Sequence, residues 1–272
     1  MRRELLDYDA SADLAVRQIG GRETDGLRVS QMTFAARPGV RRAAYRVGPI
    51  GKGPFPCVLF VHWYEPESHD SNRTQFLDEA KALAKRGVMS LLVEAAWSDR
   101  EWFLKRTQDD DFEASVEIVV EIRRAMDLLL ADSEADASRF VYVGHDFGAM
   151  YGVVAGSVDP RPMGYVLMAG TPRFSDWFLY YPPLEGDERE AFIEQMEELD
   201  PVERVGSLSP APILFQFGES DPHVPVPRAE DFFRSAEQPK DVAWYPVGHA
   251  LNDEARAARI DWLVGRLGLD SG

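Results

Sequence analysis

The chain has 272 residues, 45% of them hydrophobic and 28% charged, with a formal net charge of −16 at pH 7. This length suits one sizeable globular domain and is short for two. The charge argues against a nucleic-acid partner and an anionic membrane surface, because neutralising phosphates requires clustered Lys and Arg.

The amino terminus and the cysteine content predict a cytoplasmic protein. Acidic residues interrupt the first ten positions, where a secretory signal needs an apolar core, and no apolar run approaches a bilayer span. Cys57 is the only cysteine and lies within an apolar run, which predicts a buried structural thiol. We expect residues 1–25 to form an N-terminal extension and residues 26–272 a single domain. A homodimer is possible, but the sequence leaves the oligomeric state open.

The predicted elements alternate between short apolar runs and amphipathic stretches. Residues 29–36 and 41–47 are predicted to form an antiparallel pair. Further strands are predicted at 57–61, 89–93, 140–143, 165–168, 213–217 and 242–245, and helices near 74–86, 112–132, 147–157, 188–198, 226–236 and 250–267. This alternation indicates an α/β fold with a mostly parallel, doubly wound sheet covered on both faces. Residues 171–210 interrupt it and are predicted to be a small cap or substrate-facing loop.

A five-residue turn carries the main functional indication. Residues 144–148 have the sequence Gly-His-Asp-Phe-Gly and stand between a predicted strand and a predicted helix. Small residues around a tight strand-to-helix turn present the central side chain on a strained backbone, as a nucleophile elbow requires. Asp146 therefore occupies a position where a serine or cysteine would be expected.

Two more polar residues follow predicted strands further along the chain. Asp221 comes after strand 213–217 and His249 after strand 242–245. In an open α/β sheet the active site forms outside the carboxyl ends of the strands. Each residue alone also has an ordinary structural explanation, as a turn former or helix cap. The order Asp146, Asp221, His249 predicts a triad of nucleophile, acid and histidine.

These motifs resemble those of a known group of enzymes. The segments that carry the resemblance are Phe60-Val-His62, residues 76–80 with Arg86-Gly-Val88, residues 144–148, Ala211-Pro-Ile-Leu214 with Gly218-Glu-Ser-Asp221, and Gly248-His249. From about residue 27 to its end, the chain resembles α/β-hydrolases of the dienelactone-hydrolase-like, prolyl-oligopeptidase-related group. At Asp146 it departs from that group and is similar to haloalkane dehalogenases and epoxide hydrolases. The resemblance implies the α/β-hydrolase fold.

The chemistry of a carboxylate favours the similarity to haloalkane dehalogenases and epoxide hydrolases. Attack on an ester would give a mixed anhydride that collapses backward, whereas a halogen-bearing carbon or a strained epoxide would give an alkyl ester on Asp146. His249, oriented by Asp221, would then activate water to hydrolyse that ester. Backbone N–H groups of Phe147 and of the loop after His62 are expected to form the oxyanion hole.

Substrate contacts are predicted by location. The Phe147 side chain donates no hydrogen bond, so Trp63 or the Tyr64 hydroxyl is expected to stabilise a leaving halide, and tyrosines of the cap an opened epoxide. The remaining candidate contacts are His62, Glu94, Trp97, Trp177, Tyr180 and Tyr181. A pocket walled by aromatic rings favours a neutral, largely apolar small molecule, although these rings have packing as an equal alternative.

Metal and cofactor chemistry is not indicated. His69 and His223 are scattered, with no His or Cys cluster at ligand spacing and no glycine-rich phosphate-binding motif. Two other functions stay open. In one, Asp146 acts as a general base in an ester or lactone hydrolase of the dienelactone type. In the other, the protein is a non-catalytic binding relative, against which the retained Asp221 and His249 argue.

Overall fold

The computed structural model describes residues 3–68 and 73–269. Its strands are β1 (Arg17–Thr24), β2 (Leu27–Arg37), β3 (Val40–Pro49), β4 (Phe55–Val61), β5 (Met89–Val93), β6 (Ala135–His145), β7 (Tyr165–Met168), β8 (Ile213–Gly218) and β9 (Lys240–Tyr245). They form one sheet in the order β1-β2-β3-β5-β4-β6-β7-β8-β9. The strands from β5 to β9 in that order pair in parallel, while β1, β2 and β3 pair antiparallel and β3 joins the parallel part through β5. The predicted mostly parallel sheet is confirmed.

Helices connect the strands and cover the sheet. They are α1 (Leu77–Ala84), α2 (Trp102–Lys105), α3 (Gln108–Leu130), α4 (Phe147–Val158), α5 (Ser175–Phe178), α6 (Gly186–Glu197), α7 (Pro201–Arg204), α8 (Val226–Ser235) and α9 (Asp253–Arg266). Single 3₁₀ turns occur at Arg3–Leu6, Ala96–Ser98 and Val205–Leu208. Within the described residues, no helix has the length and apolarity needed to cross a bilayer.

The two faces of the sheet carry separate hydrophobic cores. In β4, Leu59 belongs to the core under α3 and α4, whereas Val58 and Phe60 belong to the core under α1 and α9. Successive side chains of a strand point to opposite faces, so a run that is apolar at every position fills both cores. Cys57 lies in the same strand and is buried, as predicted, and burial raises the pKa of its thiol to about 12.

The antiparallel edge is larger than the predicted pair. Residues 17–24, within the predicted extension, form β1 and pair with β2, although all eight residues are exposed. The exposed strand shows no alternation of apolar and polar residues, which is why the pattern did not predict it. The predicted domain limits include residues that lie outside the described part of the chain, namely Met1, Arg2 and residues 270–272. His69 also lies outside it.

The predicted cap lies between β7 and β8. It contains α5, α6, α7 and the turn Val205–Leu208. Arg106, which follows α2, donates hydrogen bonds to the carbonyls of Phe178 and Tyr181 and pairs with Asp111 of α3. These contacts fix one end of the cap to the helices that follow β5.

Candidate active site

The turn at residues 144–148 has the geometry of a strained elbow. Asp146 has φ 55° and ψ −120°, in the left-handed region that non-glycine residues rarely occupy. A Cβ on Gly144 would lie 2.3 Å from the Gly148 carbonyl oxygen, and one on Gly148 would lie 2.2 Å from the Val61 carbonyl oxygen. Both glycines are therefore required for β6, β4 and α4 to meet, and they hold Asp146 at the end of the strand.

The three predicted catalytic side chains converge beyond the strand ends. His249 Nδ1 donates to Asp221 Oδ2 at 2.8 Å, and His249 Nε2 lies 3.9 Å from Asp146 Oδ2. Asp221 is itself fixed, because its Oδ1 accepts from the backbone N–H groups of His223 and Val224 at 2.8 and 3.1 Å. The structure thus brings Asp146, His249 and Asp221 together in the order of a triad.

The two carboxylates control the protonation of the histidine. Burial lowers the pKa of His249, but Asp146 and Asp221 outweigh it and raise the pKa to about 9. Burial raises the pKa of Asp221, while the His249 hydrogen bond and the two backbone N–H groups hold it below its usual value. Both carboxylates therefore favour the imidazolium form of His249 over the neutral imidazole.

Backbone donors surround the Asp146 carboxylate. The Tyr64 N–H donates to Asp146 Oδ2 at 3.2 Å. Phe147 is the first residue of α4, so its N–H has no acceptor within the helix. Asp146 Oδ1 is buried and has no hydrogen-bond partner among the described residues. Tyr64 therefore holds one oxygen of this carboxylate, and the other has no hydrogen-bond partner among the described residues.

A pocket of about 520 Å³ opens beside the triad. His249 lines it together with five aromatic side chains, which are Trp63, Tyr64, Phe103, Trp177 and Tyr180. Trp63 stacks on His249 at 5.6 Å between ring centroids, and Trp177 meets the same imidazole edge-on at 6.0 Å. The predicted aromatic wall is thus present for Trp63, Tyr64, Trp177 and Tyr180.

Several residues of this site were not among the contacts predicted from the sequence. Phe103, Glu65, Glu67 and His223 also line the pocket. Gln75 accepts from the Trp63 N–H at 3.1 Å and donates to His145 Nδ1 at 2.6 Å. For Glu65 and Glu67 the sequence does contain one indication, because Glu-Pro-Glu directly after Tyr64 continues the predicted catalytic loop.

His145 lies under the site and helps to hold it in place. Its Nε2 donates to the His249 carbonyl at 2.9 Å, and its ring stacks on Trp63 at 4.9 Å. Burial, with a smaller effect from His249, puts the pKa of His145 well below its ordinary value. A neutral His145 therefore donates through one nitrogen and accepts through the other, which fixes the loop that carries His249.

His62 and Trp97 lie beneath the pocket and do not line it. His62 Nδ1 donates to the Trp63 carbonyl at 2.7 Å, while Nε2 accepts from the Ala95 N–H at 3.3 Å and the Ser98 hydroxyl at 2.9 Å. Trp97 Nε1 donates to the His62 carbonyl at 3.0 Å. Burial lowers the pKa of His62 to about 4, so the ring is neutral and fully engaged in holding the loop.

Three other predicted contacts are placed differently from expectation. The Glu94 carboxylate accepts a hydrogen bond from the Ala43 N–H of β3 at 2.8 Å and pairs with Arg73. These contacts hold the side chain against β3, outside the pocket. The Tyr64 hydroxyl donates to the Arg100 carbonyl at 2.9 Å, and the backbone N–H of Tyr64 contacts Asp146 instead. Tyr181 is half exposed, and its carbonyl accepts from Arg106.

The described part of the chain contains no group of three or more His, Cys, Asp or Glu that could hold a metal ion. His223 is stacked on Trp177 with 5.1 Å between ring centroids.

Known proteins resemble this chain in fold. No family model matches it. A relative from Bradyrhizobium sp., named a probable 2-oxo-3-(5-oxofuran-2-ylidene)propanoate lactonase, is 24% identical over 228 residues, which is 81% of this chain and 83% of that protein. The acetyl xylan esterase from Paenibacillus sp. R4 superposes with a TM-score of 0.79 at 15% identity, over 97% of this chain and 91% of that one.

A second solved structure gives the same result. Acetyl xylan esterase 1 from Thermoanaerobacterium sp. superposes with a TM-score of 0.77 at 14% identity, over 97% of this chain and 92% of that one. The N-terminal antiparallel strands, the parallel strands that follow and the elbow at the end of β6 agree with this similarity. The protein has the α/β-hydrolase fold.

Proposed function

We propose that the protein hydrolyses an ester or lactone of a small molecule, with Asp146, His249 and Asp221 as its catalytic residues. The observation that carries this proposal is the buried Asp146 carboxylate on the elbow. It faces an imidazole whose nearer nitrogen is 3.9 Å away and whose other nitrogen is held by Asp221. An oriented imidazole of this kind has no purpose in a protein that only binds.

In the proposed mechanism Asp146 acts as a general base. It takes a proton from water as the water oxygen attacks the carbonyl carbon of the substrate, and the carbonyl becomes an oxyanion. The Phe147 N–H, which has no acceptor within α4, supplies a hydrogen bond to that negative charge, and the Tyr64 N–H shifts to it from Asp146 Oδ2. The intermediate then releases its leaving oxygen, which takes a proton from His249. Transfer of the proton on Asp146 to His249 restores both groups.

Two physical arguments favour this assignment for carbonyl substrates. Direct attack by Asp146 on an ester would form a mixed anhydride, which returns to the ester more readily than it proceeds. The pKa of His249 is raised to about 9, so the imidazolium is ready to act as an acid. At pH 7.5 only about 3% of such an imidazole is neutral and available as a base.

Similar proteins support the reaction class. The Bradyrhizobium relative is named a lactonase, and the two solved structures are described as acetyl xylan esterases. Lactones and acetyl esters share the carbonyl–oxygen bond that the proposed mechanism cleaves.

A second candidate function uses Asp146 as a nucleophile on a halogenated or epoxide substrate. The observation that favours it is that Tyr64 holds Oδ2 while Oδ1 is buried and unpartnered among the described residues, as attack on carbon requires. Trp177 Nε1 is likewise buried and has no hydrogen-bond partner in the described part of the chain, and would serve a leaving halide. Release of the alkyl ester requires His249 to act as a base. Esterification of Asp146 would remove the charge that raises the pKa of His249, which makes that role possible.

The first experiment measures hydrolysis of p-nitrophenyl esters and small lactones by the wild type and by Asp146→Asn. Loss of a general base is expected to reduce kcat/KM by about 10²–10⁴-fold. Asp78→Asn is the matched control, because this carboxylate is 82% exposed on α1, and it should retain activity. Equal hydrolysis by the wild type and Asp146→Asn would show that Asp146 is not the general base. If the wild type hydrolyses none of the compounds, the enzymatic proposal is wrong and a binding protein becomes the better explanation.

The second experiment separates the two mechanisms. Excess enzyme completes one turnover in H₂¹⁸O, and mass spectrometry then locates the label. General-base catalysis places ¹⁸O in the product acid and none in the enzyme. A nucleophilic Asp146 places ¹⁸O in its own carboxylate, because water attacks the enzyme ester. Labelled Asp146 after turnover of a haloalkane or epoxide would therefore establish the second candidate.

A further inference from the structure

We propose that Gln75 is a positioning residue of the catalytic site, which holds the loop that carries the Tyr64 N–H and the loop that carries His249 in one fixed relation. This inference rests on the proposed function, because it concerns the same reaction. It adds a residue that is not among the described residues lining the pocket, and that acts on the reaction through its neighbours.

Gln75 is half-buried just before α1 and connects two strand ends. Its Oε1 accepts from the N–H of Trp63, beyond β4, at 3.1 Å, and its Nε2 lies 2.6 Å from Nδ1 of His145, the last residue of β6. The His145 ring extends the connection to a third strand end, because its Nε2 lies 2.9 Å from the carbonyl oxygen of His249, beyond β9. Three hydrogen bonds in series therefore join the loops that follow β4 and β9.

The direction of each hydrogen bond in this series is fixed by the groups at its two ends. A backbone N–H can only donate, so the side-chain oxygen of Gln75 faces Trp63 and its NH₂ group faces His145. His145 Nδ1 must then accept, which places the ring proton on Nε2. That N–H points to the His249 carbonyl, which can only accept. Each polar group in the series thus has a single possible role.

The surroundings of His145 favour the neutral form that this series requires. The side chain is fully buried, and burial holds its pKa well below the ordinary value. The neighbouring charges of His249, Arg259 and His62 lower that pKa further. A doubly protonated ring would also direct a second N–H at the NH₂ group of Gln75, where there is no acceptor. Electrostatics and hydrogen bonding therefore select the same form.

One end of the series controls a donor of the proposed oxyanion hole. Trp63 is held on both sides, because Gln75 accepts from its N–H and His62 Nδ1 donates to its carbonyl at 2.7 Å. That carbonyl belongs to the same planar peptide group as the Tyr64 N–H, so the position of Trp63 directs the donor. The Tyr64 N–H lies 3.2 Å from Asp146 Oδ2. Without Gln75, this loop would lose one of its two supports.

The other end of the series controls the position of His249. His145 donates to the backbone carbonyl of His249, and the Trp63 ring stacks on both imidazoles, at 4.9 Å from His145 and 5.6 Å from His249. Gln75 therefore acts on a proton donor and on an oxyanion donor of the proposed mechanism at the same time. Groups that act in the transition state affect kcat more than KM.

The first test is steady-state hydrolysis of an ester by Gln75→Leu. Small misplacements of catalytic groups cost up to about 100-fold, so kcat is expected to fall about 10–100-fold, with KM within about twofold of the wild type. Gln238→Leu is the matched control, because its exposed Oε1 accepts from the Lys240 backbone N–H, also at 3.1 Å, and it should retain kcat. An unchanged kcat in Gln75→Leu, or a change in KM as large as that in kcat, would overturn the inference.

The second test is Gln75→Glu, which keeps the shape of the side chain and serves also if Gln75→Leu does not fold. One carboxyl oxygen still accepts from the Trp63 N–H, but the other cannot donate to His145. One extra proton, shared between the introduced carboxyl and His145, restores both hydrogen bonds of the ring. Relative to the wild type, kcat should therefore be nearly normal at pH 5.5 and fall by about tenfold toward pH 8, as expected for one lost hydrogen bond.

Two comparisons assign this pH dependence to the series of hydrogen bonds. Gln75→Leu takes up no proton, so its kcat relative to the wild type should be constant over the same range. The new negative charge can only raise the pKa of His249, already raised to about 9, so it cannot cause a loss of proton donation below pH 8. A ratio for Gln75→Glu that does not change with pH would overturn the inference.

Nitrogen-15 NMR of His145 separates failure of this inference from failure of the proposed function. Wild-type protein that hydrolyses no ester refutes the proposed function, whereas an active wild type with unaffected Gln75 variants overturns only the role of Gln75. In both cases the wild-type spectrum should show His145 neutral, with its proton on Nε2. In Gln75→Glu at pH 8 a proton should occupy Nδ1, where the introduced carboxylate accepts it. An Nδ1 without a proton in this variant would refute the series itself.

Discussion

Replacing Asp221 with Asn removes the charge behind His249 and preserves the local geometry. Asp221 Oδ1 accepts from two backbone N–H groups at 2.8 and 3.1 Å, and an Asn oxygen can accept the same bonds. What changes is Oδ2, which accepts from His249 Nδ1 at 2.8 Å. The substitution therefore tests the electrostatics of the triad with little change to the fold.

The expected shift follows from Coulomb's law. At an effective dielectric constant of about 20, unit charges about 4 Å apart interact by about 4 kcal/mol, which corresponds to about two to three pKa units. The pKa of His249 should fall from about 9 to roughly 6.5 in the variant. At pH 8 the protonated fraction then drops from about 90% to about 3%. Protonation alone predicts a loss of about 30-fold in kcat/KM at that pH.

The assay is the dependence of kcat/KM on pH between 5 and 10, with NMR titration of the His249 imidazole in parallel. In the proposed mechanism His249 is an acid, so wild-type activity declines as pH rises through about 9. In Asp221→Asn this decline should begin about two units lower, and much of the activity should return near pH 5.5. An alkaline decline that stays near 9, or a loss that is equal at all pH values, would refute the reasoning.

Further substitutions test the stability of the site and of the fold. For His249, the pKa is about 9 in the folded state against an ordinary 6.5, so its stabilisation is complete below pH 6.5 and is lost as pH rises through 9. The free energy of unfolding, measured with denaturant relative to His249→Asn, should fall by roughly 3 kcal/mol over that window, and a flat difference would contradict this. Gly148→Ala should destabilise by about 1–3 kcal/mol or prevent folding, whereas Gly265→Ala, with no atom within 4 Å of the new Cβ, should be neutral or stabilising in thermal melts. Arg106→Gln leaves Asp111 buried without its charge partner and should cost about 3–5 kcal/mol in denaturant unfolding, and addition of Asp111→Asn should recover part of this loss.

The fold was predictable because its central strands are apolar at every position. A run such as β4 fills the cores on both faces of the sheet, and no other arrangement of short apolar runs and helices accounts for that pattern as well. The edge strand β1 was missed for the opposite reason. Its residues are exposed, so β1 is held by backbone pairing with β2. Backbone pairing does not require any particular pattern of side chains in the sequence.

The candidate catalytic side chains were predictable from chain order, whereas their supports were not. Asp146, Asp221 and His249 each follow a strand end, and parallel strands bring those ends together. The Tyr64 N–H that contacts Asp146 is a backbone group, and any residue type at position 64 would carry it. Glu94 also follows a strand end, but β5 lies beside β3, and the Ala43 N–H engages the Glu94 carboxylate there. A position just after a strand end predicts where a residue lies along the edge of the sheet. It does not predict which neighbouring group the side chain contacts.

The identity of residue 146 alters more than the nucleophile. A serine there would leave His249 with one neighbouring carboxylate and a role as base toward the hydroxyl. Asp146 adds a second carboxylate 3.9 Å from the imidazole, and together with Asp221 it raises the pKa of His249 to about 9. In the proposed mechanism the histidine acts as a proton donor, so base and acid have exchanged places relative to a serine triad.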